Sequence, residues 1–410
     1  MNGIKDSAYE ISKRLYNDGI KPLIIEKENY ACIEDPIFGI KRNRVIAEVL
    51  KAMVRLKLEP DENIAKKFCN YLEKNQNNDG SWNEIHPNYN QPSALITSIV
   101  GTALLLVHER YREKNLEESI RKAKNYILSQ EKTEGFFIKS KYYTADHLNV
   151  DAICGAFLAS YGTIFTDDRC IRIARQSAQH ICDHQFSDGS YPYTTNQGNY
   201  VYSFNIPCIH YQAVTMYYLI KINDYLQEEF IKKSLLRAGD WLVSVQKDDG
   251  KFDWSHSGLM FAYYLTGAYA FSSASLLYIS KWEKKYIENG YKCLNILNHN
   301  IKDLVLRWEK DNWITFPCSL ITTLKTSKIG NFPIKQKLFR FGYGLHRQMA
   351  RRRFSIHLDD KLFLDVTKLF KIKTSTIEPF SNYPDLFMTS EVLDTLSSSL
   401  LFLRGDLDTI

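Results

Sequence analysis

The 410-residue chain lacks the short motifs that announce nucleotide, zinc-protease or serine-hydrolase chemistry. Gly-x-Gly-x-x-Gly, Gly-x4-Gly-Lys-Ser/Thr, His-Glu-x-x-His and Gly-x-Ser-x-Gly are all absent, which argues against a phosphate-cradling loop, a helix-borne zinc site and a nucleophile elbow. The eight cysteines (32, 69, 154, 170, 182, 208, 293 and 318) include no Cys-x-x-Cys pair, so they read as reduced, mostly buried thiols rather than a disulfide framework or zinc site. No segment approaches the ~18–20 uninterrupted apolar residues of a membrane-spanning helix. The longest candidate, Leu259 to Ile279, is broken by Gly267, is rich in Ser and Tyr, and reads as a buried helix. The start, Met1 to Asp6, is polar and lacks a basic-then-apolar signal pattern, so a cytoplasmic location is the expectation. No metal and no cofactor are expected.

What is present is globular: 44% apolar and 24% charged residues, enough for a large core. The net charge of +6 is uneven, because Arg340, His346, Arg347, Arg351, Arg352 and Arg353 form one basic cluster over 340–353. It reads as a solvated helix face, or as a contact for an anionic substrate or membrane headgroups. No recognition motif accompanies it, so nucleic acid is not an expected partner.

Four times a predicted helix ends in Gln, a short spacer, an acidic residue and Gly, with an aromatic one or two places on. The copies run Gln76 to Trp82, Gln130 to Phe136, Gln185 to Tyr191 and Gln246 to Phe252. Their glycines, 80, 135, 189 and 250, are 55, 54 and 61 residues apart, a period that fits two helices and two loops. Helical periodicity pairs Asn43–Leu58 with Asn63–Glu73, Pro92–Tyr111 with Leu116–Gln130, and Asn149–Phe165 with Asp167–Gln185. Pro207–Tyr225 with Glu228–Gln246 and Gly258–Tyr278 with Trp282–Leu297 follow, and Pro92 and Pro207 suit helix starts. Trp308 to Trp313 looks like a degenerate copy, and a sixth hairpin would end in Val392 to Leu403.

Within each pair the helix before Gln is charged and the helix after the aromatic is small and apolar. Charged helices outside and apolar ones inside give an all-α fold, an (α/α) toroid of five to six hairpins. Residues 1–410 read as one domain, with 325–384 a divergent basic insertion or lid.

The Gln-x-x-Asp-Gly-x-aromatic element resembles the repeat of the prenyltransferase and squalene/terpene cyclase superfamily, whose members are α/α toroids. The resemblance covers about three quarters of the chain. It implies a structural role for the motif, with Gln capping a helix and stacking on an aromatic of the adjoining repeat; this applies to Gln76, Trp82, Gln185, Tyr191 and Gln246. It also implies an acidic residue in a greasy cavity, for which Asp151 in Asn149-Val150-Asp151 is the one incomplete match. Two-domain cyclases are longer than this chain, and the Asp-x-Cys zinc partner of the prenyltransferases is missing.

Loops leading into the inner helices rim one mouth of a toroid, and here they concentrate His, Asn, Tyr and Asp in consecutive repeats. Tyr143, Asp146, His147, Asn149 and Asp151 form the densest group; His210 and Tyr211, then Asp253, Trp254 and His256, follow one and two hairpins later. Asp146 or Asn149 would also serve as a helix N-cap. Such side chains offer neutral hydrogen bonds and flat faces suited to sugars. The expected activity is therefore acid–base chemistry of a polysaccharide-lyase or epimerase kind on a polar, uronate-containing glycan. Asn149 and His147 would bind the carboxylate, Tyr211 or His210 would act as base, and Arg340 or Arg347 would assist if the tail folds over the mouth. Isoprenoid chemistry at Asp151 is the alternative, and a non-catalytic glycan or lipid-linked glycan binder is a second.

Overall fold

A computed structural model of the chain describes residues 2–35, 39–58, 62–86, 89–133, 135–195, 207–253, 256, 265–301 and 386–404. Twelve α-helices are found among them: α1 (Asn2–Arg14), α2 (Asn43–Leu56), α3 (Asn63–Lys74), α4 (Ala94–Tyr111), α5 (Glu117–Ser129), α6 (Leu148–Phe165), α7 (Asp168–Asp183), α8 (Ile209–Leu226), α9 (Glu229–Ser244), α10 (Leu265–Ile279), α11 (Ile287–Ile301) and α12 (Leu386–Arg404). The even-numbered helices pack in sequence, α2 on α4, then α6, α8, α10 and α12, and α12 returns to α2. Six inner helices thus form a closed ring. The sixth hairpin joins the two ends of the chain, because α1 packs on both α12 and α11 and completes the outer layer.

Composition explains the sorting. Helices α4, α6, α8 and α10 are apolar around their circumference, as a helix buried on both sides must be, whereas α3, α7 and α9 carry one apolar stripe and a charged outer face. Helix α6 is long and apolar enough to cross a membrane, but 83% of it is buried inside the ring.

The repeat motif is the joint between hairpins. Gln76 Nε2 donates to Gly80 O and Ser119 O, both at 2.9 Å, while Ser119 Oγ donates to Gln76 Oε1 at 2.8 Å. Gln185 makes the same three bonds to Gly189 and Ser234, and Gln246 bonds Gly250 and Asn289. Each of these three Gln side chains therefore straps its turn to the outer helix of the next hairpin by hydrogen bonds. The helix-end carbonyl of Leu72 is met instead by the Trp82 indole N–H, at 2.7 Å. The side chain of Gln130, whose spacer is one residue longer than those of the full copies, bonds its neighbour Ser129 and, among the described residues, makes no strap. At Gly189 (φ +93°) a Cβ would fall on the Arg237 carbonyl of the next outer helix, so both the backbone conformation and the close approach require glycine.

A second repeat is visible only in the structure. Lys57, Arg112, Thr166 and Gln227 end α2, α4, α6 and α8 in left-handed conformation, spaced 55, 54 and 61 residues apart, the same intervals as the glycines. These four inner helices therefore end in a left-handed cap without glycine. Short strands were not expected from the helical pattern: β1 (Ile24–Glu26), β2 (Ala31–Asp35) and β3 (Ile40–Lys41) form one antiparallel sheet. Strands β4 (Asn83–His86) with β5 (Tyr89–Pro92), and β6 (Glu131–Thr133) with β7 (Phe136–Phe137), make two hairpins. Pro92 closes β5 opposite Asn83 instead of starting α4, a strand-end place where a missing N–H costs little. Residues 325–384, the 340–353 basic cluster and Trp308 to Trp313 lie outside the described residues.

Candidate functional site

Four inner helices each use a side chain in their first two turns to accept the backbone N–H of the aromatic two places after the preceding motif glycine. Thr97 Oγ1 takes Trp82 N at 2.9 Å, Asp151 Oδ1 takes Phe137 N at 2.8 Å, Gln212 Oε1 takes Tyr191 N at 2.6 Å, and Tyr269 Oη takes Phe252 N at 3.1 Å. Asp151 thus occupies a position in the scaffold that a neutral Thr, Gln or Tyr fills elsewhere. It is fully buried, and its main-chain carbonyl is bonded by Ser177 on α7 at 2.9 Å.

Asp151 is also part of a second group. Asp146, in the loop before α6, accepts from His180 Nε2 on α7 at 2.9 Å and from Thr195 Oγ1. His180 Nε2 stands 4.0 Å from Asp151 Oδ2. Burial raises the Asp151 pKa well above the carboxylate range, reinforced by the neighbouring Asp146 charge. Burial opposes ionisation of Asp146 too, but the His180 bond, with Asp151 and Thr195 beside it, leaves its pKa below the ordinary value. One ligand atom from each of Asp146, Asp151 and His180 lies within 4.8 Å of the others. Neither Asp146 nor Asn149 caps α6: His147 holds the N-cap place without a side-chain bond to the helix.

At the mouth itself, aromatic rings join the two predicted histidines. His147 meets Tyr193 edge-on at 5.1 Å, Tyr193 lies 4.4 Å from Tyr211, and Tyr211 meets His210 at 4.9 Å. His147 Nδ1 lies 2.7 Å from Ala145 O, a contact that needs Nδ1 to carry the proton. Burial lowers its pKa to about 4 and that of His210 to about 3, with Arg44 adding to the effect on His210. Both imidazoles are neutral at pH 7.

His210 on α8 also meets groups from the opposite side of the ring. Gly267 on α10 faces both His210 and Glu391 of α12: a Cβ there would lie 3.0 Å from His210 Cε1 and 2.6 Å from Glu391 Oε2. Glu391 Oε1 is paired with Arg44 Nη2 of α2, and Arg44 Nε also bonds Glu48 Oε1 at 2.6 Å. Burial pushes Glu391 up to about 7, the Arg44 charge opposing and Glu48 adding to the rise. Side chains of α2, α8, α10 and α12 therefore converge around one carboxyl and one neutral imidazole.

Below this pair the ring interior is ionic, which the sequence reading missed. Lys51 Nζ lies 2.5 Å and Arg55 Nη1 2.6 Å from the Asp394 carboxylate, and Ser390 Oγ donates to Glu48 Oε2 at 2.7 Å. Lys221 on α8 is brought down to about 8 by burial, against the pull of Asp224. The signal was available: Arg44, Glu48, Lys51 and Arg55 fall at i, i+4, i+7 and i+11, one stripe of α2 that faces α12. The expectation of purely apolar inner helices fails for α2 and α12.

Four inner helices also present buried polar atoms with no hydrogen-bond partner among the described residues: Asn43 Oδ1 at the start of α2, Ser93 Oγ before α4, Asn149 Oδ1 on α6 and Glu391 Oε2 on α12. Tyr143 stands beside Tyr89 at 6.0 Å and under Lys139, whose Nζ pairs with Glu84 at 2.9 Å. Asp253 is half-buried and His256 exposed, 3.8 Å from each other. Trp254, Arg340 and Arg347 lie outside the described residues. None of the seven described cysteines is in a disulfide.

No protein-family model matches the chain, and no curated protein matches its sequence. Solved structures do. A sugar epimerase from a ruminal bacterium superposes with a TM-score of 0.54 at 11% identity, covering 72% of this chain and 87% of that one. The cellobiose 2-epimerase of Bacillus thermoamylovorans gives 0.55 at 10% identity over 74% and 88%. An α-1,6-mannanase from a Salegentibacter species gives 0.55 at 9% identity over 73% and 88%, and an inactive variant of it is known in complex with α-1,6-mannotriose. At these identities the likeness establishes the fold, the α/α toroid that the repeat implied, in company with carbohydrate enzymes.

Proposed function

We propose that the chain is an enzyme acting on a polar glycan by proton transfer at the mouth of the ring, of epimerase or lyase type. One observation carries the reading: buried polar atoms without a partner among the described residues lie at the start or in the opening turns of four inner helices, one of them Glu391 Oε2 beside His210. An orphaned buried polar group costs ~1–3 kcal/mol, and sugar hydroxyls are the kind of ligand that removes that cost at several such groups together. The carbohydrate enzymes among the similar structures support the substrate class.

The roles follow from the environments. Glu391, at about 7, is matched to accept and return a proton near neutral pH, and its Oε2 is the oxygen not held by Arg44. His210, kept neutral by burial, polarises a substrate carbonyl or carboxyl oxygen as a hydrogen-bond donor. Glu391 takes a proton from the carbon next to that group, and the C–H electron pair becomes the enolate. Tyr211, against His210, then returns a proton on the opposite face in an epimerase; in a lyase the enolate expels the β-oxygen. Asn149 and Ser93 bind hydroxyls.

The isoprenoid reading needs a dry, aromatic-lined chamber for a carbocation, and the Glu48, Lys51, Arg55 and Asp394 ladder is a poor one. A non-catalytic glycan binder uses the same orphaned atoms but gives Glu391 nothing to do. The test is turnover: uronate oligosaccharides, reducing disaccharides and prenyl diphosphates are each incubated with the protein and with Glu391→Gln. Epimer or unsaturated-uronate product that disappears in the variant supports the proposal, while binding without turnover, or turnover of prenyl substrates only, refutes it.

A further inference from the structure

The third repeat differs from its neighbours at three points that meet in space. The amide acceptor is a carboxylic acid, Asp151, where Thr97, Gln212 and Tyr269 do the same work uncharged. The outer helices are aligned by the residues that close on the motif glycines, Lys122, Gln176 and Arg237, spaced by 54 and 61. In that register His180 corresponds to Tyr126 and Trp241, which are buried aromatics. Asp146 adds a second carboxylate to the same place.

Neither strapping nor packing requires this substitution of three ligating groups into one repeat. Asp151 Oδ2 is fully buried, aims at His180 Nε2 from 4.0 Å, and has no hydrogen-bond partner among the described residues. The ligand edges bracket those of a small tetrahedral ion. Bonds of ~2.0–2.2 Å from zinc to nitrogen and oxygen place neighbouring ligand atoms about 3.3–3.5 Å apart, and His180 Nε2 is 2.9 Å from Asp146 Oδ2 and 4.0 Å from Asp151 Oδ2. Outer contacts that orient metal ligands are in place too: Phe137 N–H fixes Asp151 through its other oxygen, and Thr195 Oγ1 bonds Asp146.

We infer that Asp146, Asp151 and His180 form a binding site for a divalent transition-metal ion, with zinc the best fit to two carboxylates and one imidazole. Calcium, which takes six to eight oxygens, does not suit a three-ligand set containing nitrogen. The ion would clasp the loop at Asp146 to α6 and α7, behind the mouth and next to His147. The proposal does not depend on the glycan reading, since the site lies between the two helices of a hairpin.

The test is metal binding by the full chain, stripped with chelator and then titrated calorimetrically with Zn2+ or Mn2+, with bound metal measured after dialysis. One equivalent of zinc and a rise in melting temperature are expected. Asp151→Asn keeps an acceptor for Phe137 N–H and so keeps the strap, but should weaken the metal by more than about 100-fold, beyond what loss of an outer-shell partner does. His180→Phe, which restores the aromatic character of the neighbouring repeats, should abolish the equivalent while leaving the far-ultraviolet circular dichroism unchanged. Failure to bind zinc, or an equivalent retained by both variants, would overturn the site and leave Asp146 and Asp151 as a pair sharing a proton.

Discussion

Replacing Gly267 with alanine sets two effects of opposite sign against each other. Gly267 sits in the first turn of α10 without the positive φ of the motif glycines. On helix propensity alone, alanine should stabilise by up to about 1 kcal/mol. The added Cβ, however, would stand 2.6 Å from Glu391 Oε2 and 3.0 Å from His210 Cε1. Ordinary contact begins near 3.4 Å, so the carboxyl must give by about 0.8 Å and the imidazole by about 0.4 Å. Glu391 is tied by Arg44, which is tied in turn to Glu48, so the carboxyl cannot swing away without loosening a buried ion pair. Overpacking of this kind costs about 1–3 kcal/mol, which offsets or exceeds the propensity gain and predicts a net loss of up to about 2 kcal/mol. Urea unfolding measures it, and titration of His210 by NMR reports whether the imidazole has moved. A variant more stable than the parent, with His210 unshifted, would refute the placement of Glu391 and His210 against Gly267.

The strap predicts a contrast between like residues: Gln185→Ala should cost about 1–3 kcal/mol, because it leaves Ser234 and Gly189 groups unpaired, whereas Gln130→Ala should stay within about 0.5 kcal/mol by the same unfolding assay. In the ladder, Asp394→Leu should destabilise by about 3–5 kcal/mol because Lys51 and Arg55 lose their counter-charge, and the triple replacement with Lys51→Met and Arg55→Met should recover much of that loss. Glu391 carries more protons folded than unfolded between its ordinary 4.5 and about 7, so its contribution to stability is fully present below 4.5 and fades as pH rises through 7. The drop is about 3 kcal/mol, and Glu391→Gln should flatten this part of the pH–stability curve.

The fold was legible because its joints are written in residues with few substitutes. A Gly whose Cβ would strike the next helix and a Gln that bridges two hairpins recur at a fixed period, and that period alone implied the toroid. The pairing of α1 with α12 was not legible, since neither helix carries the motif. At the site, recurrence of His and Tyr in equivalent loops pointed to His147, His210 and Tyr211, which the aromatic chain joins. The same cue pointed to Asp253 and His256, which lie 3.8 Å from each other. Arg44, Glu48 and Glu391 were overlooked because charges on an inner helix read as ordinary surface until the ring shows that α2 and α12 bury them against each other. Asp151 stood out by its charge, yet its bond to Phe137 N is shared in kind by three uncharged residues.

The central claim, carbon-bound proton transfer at the ring mouth, is tested most directly by incubating the protein with reducing disaccharides and uronate oligosaccharides in D2O and following deuterium entry into carbon positions by mass spectrometry. Incorporation is expected next to the carbonyl or carboxyl carbon, lost in Glu391→Gln and reduced in His210→Gln. No incorporation into any sugar that binds, or incorporation unaffected by either variant, would contradict it.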